Sequence, residues 1–448
     1  MKRLLLSAAI ICALAIPVQA QLTLDSCLSM AKQHNCSIKT SELDIAIAEE
    51  VKKQVLWKYF PQVSISGMAL ASARPLIRMD VTKLGNNTES REFLSDVFTI
   101  VDSISNGGLR SDIELINWGM SANVMAIQPI YWGGMIVNGN KLAQLGIDAA
   151  KLQSAVAERD LLQQVEDTYW LVAGLQDKRA TVRQAIQLLD TITEVAETAF
   201  QAGVVTKNDL LKVNLKRNEV ATKALQLENG IHLASRALCQ LVGLDYTSEL
   251  NLQPVPIEDE ITLNLTLEDV DASDRPEKEL LELNIKAEEL RKKITIGESL
   301  PHLAIGAVGG VTNYFDKYNW NVVGLVRLTV PLTGWGETAH KIKEHNLRIE
   351  KAKQMRTDLT QKMSLQNEQA YNMLTESIQL MLEHESAEQM AQDNYDISFM
   401  NYEAGICTMS ELLESQTLLL TAKNNYTDAC INYRSALRRF NDINKKTH

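Results

Sequence analysis

The chain has 448 residues, 23% of them charged, and a formal net charge of −11. An acidic chain without a basic cluster argues against a nucleic-acid partner. Six scattered cysteines with no CxxC pair, and histidines without a partner at metal spacing, argue against a disulfide framework and a zinc site.

Residues 1–20 read as a secretory signal: Lys2 and Arg3 open it, Leu4 to Ile16 form the apolar run, and Val18-Gln19-Ala20 supplies a small-residue cleavage site. Processing there would start the chain at Gln21 and take the charge to −13, since Lys2 and Arg3 are lost. Gln21 is not a cysteine, so no lipid anchor is indicated. Cys27, Cys36, Cys239, Cys407 and Cys430 remain and are read as thiols. Beyond the signal there is no run of about 18 apolar residues, so no transmembrane helix is expected; a closed β-barrel remains possible.

Leu24 to Lys58 reads as one helix, stopped by Pro61 because proline cannot donate a helical hydrogen bond. Val63 to Leu70 and Ala122 to Ile130 read as strands, separated by a polar excursion that includes Asn86-Asn87 and Asn106-Gly107-Gly108, with some helix near Phe93 to Ile104. Val137 to Gln201 holds no proline and predicts a helix of roughly 95–100 Å at 1.5 Å per residue. Leu142, Leu145, Ala149, Leu152 and Val156 give it a 3-4 apolar rhythm, which Leu227, Ile231, Ala234, Leu238 and Leu241 repeat on the return helix.

A second pass follows. Leu303 to Val311 and Trp320 to Val330 read as a hairpin. In the second strand Val322, Gly324, Val326, Leu328 and Val330 point one way, and Asn321, Arg327 and Thr329 the other, with Val323 and Leu325 among them. That alternation suits a half-buried hairpin or a membrane strand that is apolar outside and wet inside. Trp118, Trp132, Trp320 and Trp335 cluster near strand ends, with Tyr131, Tyr314, Phe315 and Tyr318, as in a membrane-interface girdle; core packing is the alternative, but it would spread such rings through the helices, where Trp57, Trp170 and a few tyrosines stand.

The chain is therefore written twice. Pro61 recurs 240 residues on as Pro301, and Pro129 recurs 202 residues on as Pro331; Gly134 pairs likewise with Gly336, Tyr169 with Tyr371, and Ala202-Gly203 with Ala404-Gly405. The change of offset leaves the first copy about 38 residues longer between its prolines. Such a duplication means one supersecondary unit was copied and packed on itself. The expected division is a signal at 1–20, a first repeat over 21–250 with a long loop at 71–121 and a helix-hairpin tip at 201–207, a crossover at 251–274, and a second repeat over 275–448 with a hairpin at 302–331 and a tip at 403–409.

With Phe60-Pro61-Gln62, Leu300-Pro301, the strand-to-helix segments Gln128-Pro129-Ile130-Tyr131-Trp132-Gly133-Gly134 and Val330-Pro331-Leu332-Thr333-Gly334-Trp335-Gly336, and the tips Phe200-Gln201-Ala202-Gly203 and Tyr402-Glu403-Ala404-Gly405 in order, the chain resembles the TolC-like outer-membrane efflux proteins. Arg275-Pro276 fits the family's start of the second repeat, whereas Asn35-Cys36 departs from its usual Asn-Pro. The resemblance implies a mainly α fold with a small β part: long antiparallel coiled-coil helices forming a trimeric α-barrel, and four strands per protomer in a shared 12-stranded transmembrane barrel. It implies no enzyme and no cofactor. The implied partners are two further copies, outer-membrane lipid, a periplasmic adaptor (membrane fusion) protein and an inner-membrane efflux transporter.

By the same resemblance, Tyr402, Glu411, Glu414 and Asp209 would line the periplasmic aperture; Gly203, Thr206, Gly405 and Thr408 would form the tips that meet the adaptor; and Pro61, Pro129, Pro301 and Pro331 mark helix–strand junctions. The family's basic residue two positions after the tip glycine is Cys407 here. Thr206-Lys207-Asn208-Asp209 and Thr408-Met409-Ser410-Glu411 also read as capping boxes, which accounts for two of the acids without a pore. Small-molecule efflux and protein secretion are both open to such a duct. A pore-free periplasmic coiled-coil scaffold or adaptor, its hairpins packed internally, is the alternative of a different class.

Overall fold

The computed structural model describes residues 22–73, 77–80, 112–115, 118–246, 250, 252, 275–313, 318–332 and 334–444. The signal, most of the crossover, Tyr314, Phe315 and the helix expected near residues 93–104 lie outside the described residues. The chain divides into two compact units: one from residues 1–48, 146–285 and 350–448, the other from 49–145 and 286–349.

The first unit is helical. Helix α1 (Leu24–His34) is followed at once by α2 (Cys36–Leu56), which continues into the second unit. The single helix expected over 24–58 is thus broken at Asn35, whose backbone turns extended (ψ 138°). Its side-chain oxygen accepts the Ser37 amide at 2.8 Å, and its side-chain nitrogen donates to the Leu241 carbonyl at 2.8 Å. A capping asparagine bound to another helix replaces proline as the breaker.

Helices α3 (Met135–Gln201) and α4 (Lys207–Val242) form the first long pair, and α6 (Trp335–Glu403) and α7 (Met409–Asn444) the second, with α5 (Pro276–Glu298) opening the second repeat. Pro276 stands first in its helix, where the missing amide hydrogen costs nothing. The buried side chains of α3, among them Val182, Ala185, Leu189, Ile192 and Ala196, keep the 3-4 spacing. They meet Val213 and Val220 from α4 and Leu412, Leu419 and Leu420 from α7 in one core cluster. A second cluster joins Cys27 and Ala31 to Leu161, Val165, Tyr169 and Leu238. Gly174 lets α3 approach α7: a Cβ there would lie 2.1 Å from Ile431 Cδ1.

The second unit is built on an antiparallel sheet of β1 (Gln62–Ala71), β4 (Trp118–Trp132), β5 (His302–Asn313) and β6 (Tyr318–Thr329), in spatial order 1-4-5-6. Each repeat gives one hairpin, and the join between repeats is β4 with β5. The two hairpins share a register: Gln62 faces Ile127, and their counterparts 240 and 202 residues on, His302 and Thr329, face each other as well. The duplication read from the sequence is therefore a duplication of hydrogen-bond pairing. Within the loop expected over 71–121, β2 (Ile77–Asp80) and β3 (Asp112–Leu115) form a separate small sheet, and β4 already begins at Trp118.

The register sorts the side chains by face. Val63, Ile65, Ala122, Val124, Ala126, Ile305, Ala307, Val311, Trp320, Val322 and Val326 share one face. Ser64, Ser66, Ser121, Asn123, Thr312, Asn319, Asn321 and Arg327 share the other, which also carries Met68, Met125, Ile127, Val308, Val323 and Leu325. The apolar face is uncovered: Ile65 is 79% exposed, Trp320 81% and Val326 72%.

Candidate functional site: the helix-hairpin tips and strand junctions

Both tips end their first helix in the same way. Gly203 (φ 75°) and Gly405 (φ 72°) take the left-handed conformation that glycine adopts without penalty. The amide after each reaches five residues back, Val204 to Ala199 and Ile406 to Asn401, both at 2.9 Å. That closes the last turn and leaves Val204 and Ile406 each 77% exposed.

The outgoing helices are capped by the paired threonines. Thr206 Oγ1 accepts the Asp209 amide at 3.3 Å, while Asp209 Oδ2 accepts the Thr206 amide at 3.3 Å and its hydroxyl at 2.7 Å. In the second copy Glu411 Oε2 accepts the Thr408 amide at 2.7 Å, the Thr408 hydroxyl at 2.9 Å and the Cys407 thiol at 3.4 Å. The hydroxyl and amide of Thr206 hold the Asp209 carboxyl below its usual range, and the Thr408 amide does the same for Glu411. Partial burial and the Glu411 carboxylate push the Cys407 thiol up, so the residue standing in the basic position is neutral near pH 7.

The structure brings Asp209, Tyr402, Lys212 and Ser410 together across the repeats. Tyr402 packs beside the core cluster at the tips, and burial followed by the charge of Asp209 raises its phenol. Lys212 Nζ lies 2.8 Å from Ser410 Oγ and 3.7 Å from Asp209 Oδ1, linking the first turn of α4 to that of α7. Glu414, one turn beyond Glu411, is exposed and makes no hydrogen bond or ion pair among the described residues. Sequence reasoning missed Lys212, whose partner lies 198 residues away.

Three of the four junction prolines flank strands, and Pro129 lies inside β4 near its end. Pro61 and Pro301 precede β1 and β5, Pro331 lies two residues past the end of β6, and Pro129 lies where the β4·β5 register shifts between Pro129 and Tyr131. A residue without an amide hydrogen suits each of these places. After β4 the chain turns through Gly133 (φ 59°) and Gly134 (φ 74°) into α3. Trp132 stacks on His302 across the join, with ring centroids 4.8 Å apart and planes 7° from parallel.

Farther along the helical unit, Arg438 lies 2.9 Å from Glu166 and 2.7 Å from Asp442. Burial raises the Glu166 carboxyl despite that guanidinium. No metal-holding cluster and no membrane-spanning helix occur among the described residues, which says nothing against a β-barrel.

Residues 27–244 match the model of the outer membrane efflux protein family. No curated protein matches the chain. Among solved structures, the Campylobacter jejuni CmeC outer membrane channel aligns over 95% of this chain and 87% of its own, with a TM-score of 0.75 at 13% identity. The Neisseria gonorrhoeae MtrE outer membrane channel, in its open state, aligns over 94% and 88%, with a TM-score of 0.71 at 14% identity. The Vibrio cholerae outer membrane protein VceC aligns over 94% and 95%, with a TM-score of 0.71 at 16% identity. At such identities the likeness is one of fold. Residues 27–244, just under half of the chain, are thus similar to the outer membrane efflux protein family, and over nearly its whole length the chain has the fold of the TolC-like outer-membrane channels.

Proposed function

We propose that this chain is the outer-membrane exit duct of a tripartite efflux or type I export system and works as a homotrimer. The observation that carries the reading is the four-stranded sheet, apolar on one exposed face and bearing the Ser, Asn and Arg side chains named above on the other, mixed face, with β1 and β6 as its edges. Four strands are too few to enclose a lumen, and strand edges cannot stand unpaired in hydrocarbon. Three copies supply 12 strands, close every edge, and turn the apolar faces to lipid and the Ser-, Asn- and Thr-bearing faces to water. A pore-free scaffold would cover that apolar face, so the sheet favours the duct.

In this reading residues 1–20 direct export and are removed, and the protein anchors in the outer membrane by its strands alone. The tips receive a periplasmic adaptor through the apolar Val204 and Ile406 around Gly203, Thr206, Gly405 and Thr408. An inner-membrane transporter supplies the energy, and the duct passes small molecules or proteins. Asp209, Tyr402, Glu411 and Glu414 line the aperture. Asp209 and Glu411 are engaged by their caps, which leaves Glu414 as the acid most accessible to passing cations. The test is to purify the protein from outer membranes, determine its mass in detergent and record current across a lipid bilayer. Trimers that conduct support the reading; a monomer without conductance defeats it.

A further inference from the structure

The two repeats share one hairpin register, so the strand join between repeats inside the chain, β4 with β5, is a template for the join between chains. In β4·β5, Ile127 faces Gly306, Ala126 faces Ala307 and Met125 faces Val308. Moving β4 forward by 202 residues and β5 back by 240 gives the corresponding edge pairs: Thr329 with Ser66, Leu328 with Gly67, and Arg327 with Met68. The faces agree. Leu328 and Gly67 both belong to the apolar side, and Arg327 and Ser66 to the polar side, so no side chain is turned the wrong way.

The same mapping shows that the two joins are built differently. Inside the chain, glycines sit where a Cβ would strike backbone or side chain. Gly133 would meet the Gly297 carbonyl oxygen at 2.2 Å, Gly297 would meet that of Gly133 at 2.5 Å, Gly306 that of Ala126 at 2.7 Å, and Gly310 the Asn123 Oδ1 at 2.1 Å. Their counterparts at the edges all carry side chains: Trp335 for Gly133, Trp57 for Gly297, Ser66 for Gly306 and Leu70 for Gly310. Trp57 and Trp335 are 70% and 57% exposed in a single copy. The helix after β6 also starts at Trp335, two residues earlier in the repeat than the helix after β4. It therefore lacks the left-handed Gly133 that the inner junction requires.

We infer that the occupant of the open β6 edge is the β1 edge of a second copy of this chain, paired so that Thr329 faces Ser66, with Trp335 of one copy and Trp57 of the next filling a joint that glycines close inside each chain. This rests on the trimer reading above and adds its register and its anchoring side chains. The chain-to-chain joint is accordingly the more open of the two, held by ring packing where the inner one is held by backbone contact.

Paired cysteines in the full-length protein in outer membranes test the register. S66C/T329C and G67C/L328C are successive pairs of the ladder, so one of them is of the closely spaced type. Mild oxidation with copper phenanthroline should link at least one pair into covalent dimers and trimers, at least tenfold above the single-cysteine variants. The slipped pair S64C/T329C should stay at background. Equal linking of the slipped pair, or none in any pair while the wild-type mass is that of a trimer, overturns the seam and leaves the duct reading standing. A monomeric wild type overturns both. For the rings, W57A and W335A should each lower the temperature at which trimers dissociate by at least 5 °C, with W57F restoring most of the loss. An unchanged dissociation temperature in both alanine variants overturns the role given to the tryptophans.

Discussion

Gly133 and Gly297 meet backbone to backbone, so closely that a Cβ on either would penetrate the other's main chain. One opens the strand-to-helix turn of the first repeat, and the other lies near the C-terminal end of α5 in the second. Two kinds of demand coincide at Gly133, a positive φ of 59° and a lack of space. At Gly203 only the first applies, because nothing lies within 4 Å of the position its Cβ would take.

That contrast separates the two costs. G203A should destabilise by about 1–2 kcal/mol, the cost of holding an L-residue in the left-handed region. G133A should add about 1–3 kcal/mol for the clash. G297A, which has no positive φ, should show the clash alone. Chemical denaturation followed by tryptophan fluorescence orders the three variants, and equal losses in G133A and G203A would contradict the contact.

The tip caps should weaken in acid. The folded-state carboxyls of Asp209 and Glu411 lie below their ordinary values of 3.8 and 4.5, so their stabilising contribution is complete above those values and is lost as pH falls through the lower folded ones. Amide exchange in the first turns of α4 and α7 should therefore be slow and level from pH 7 to pH 5, after correction for intrinsic rates, and accelerate below about pH 4. T206A should abolish this acid step at α4, at a cost of about 1 kcal/mol. An acid step unaltered in T206A would remove Asp209 from the cap.

Cation block should follow Glu414 more than Glu411. E414Q is expected to weaken block by a trivalent cation several-fold in reconstituted trimers, whereas E411Q, whose carboxylate is occupied by Thr408 and Cys407, should change it less. If the double variant E411A/E414A conducts and is blocked as the wild type is, the acids play no part at the aperture.

Arg438 balances Glu166, which is 9% exposed. R438A should cost about 3–5 kcal/mol, since it leaves a buried carboxylate without its partner. Burial has already raised the Glu166 carboxyl, and losing the guanidinium raises it further. A raised carboxyl favours folding at low pH, so the deficit should be largest near pH 8 and shrink toward pH 5. The double variant E166L/R438M should recover much of the loss. A deficit that does not vary with pH would assign the effect to packing.

The fold was legible wherever one local rule governed a long stretch. The absence of proline between Val137 and Gln201 gave the first long helix, and the alternation in Val322, Val326 and Arg327 gave a strand with two unlike faces. The break at Asn35 was not legible, because the chain there has no proline or glycine and the breaking bond runs to Leu241. The short β2 and β3, four residues each, were lost in a polar stretch. At the tips the T-x-x-D and T-x-x-E spacings announce the caps, since a cap is made within four residues. The Lys212–Ser410 link and the nearness of Tyr402 to Asp209 depend on how the repeats fold together, which no local spacing encodes.

The common register of the two hairpins has an evolutionary consequence. A half-length ancestor with one such hairpin would have found the same ladder on both of its flanks and could have closed a ring as six identical subunits. On the seam inferred above, fusing two such halves would make alternate joints covalent neighbours and let them diverge, one toward glycine and the other toward indole. In the trimer proposed above, the ring would thereby be held at threefold symmetry, with sixfold order surviving only in the main chain.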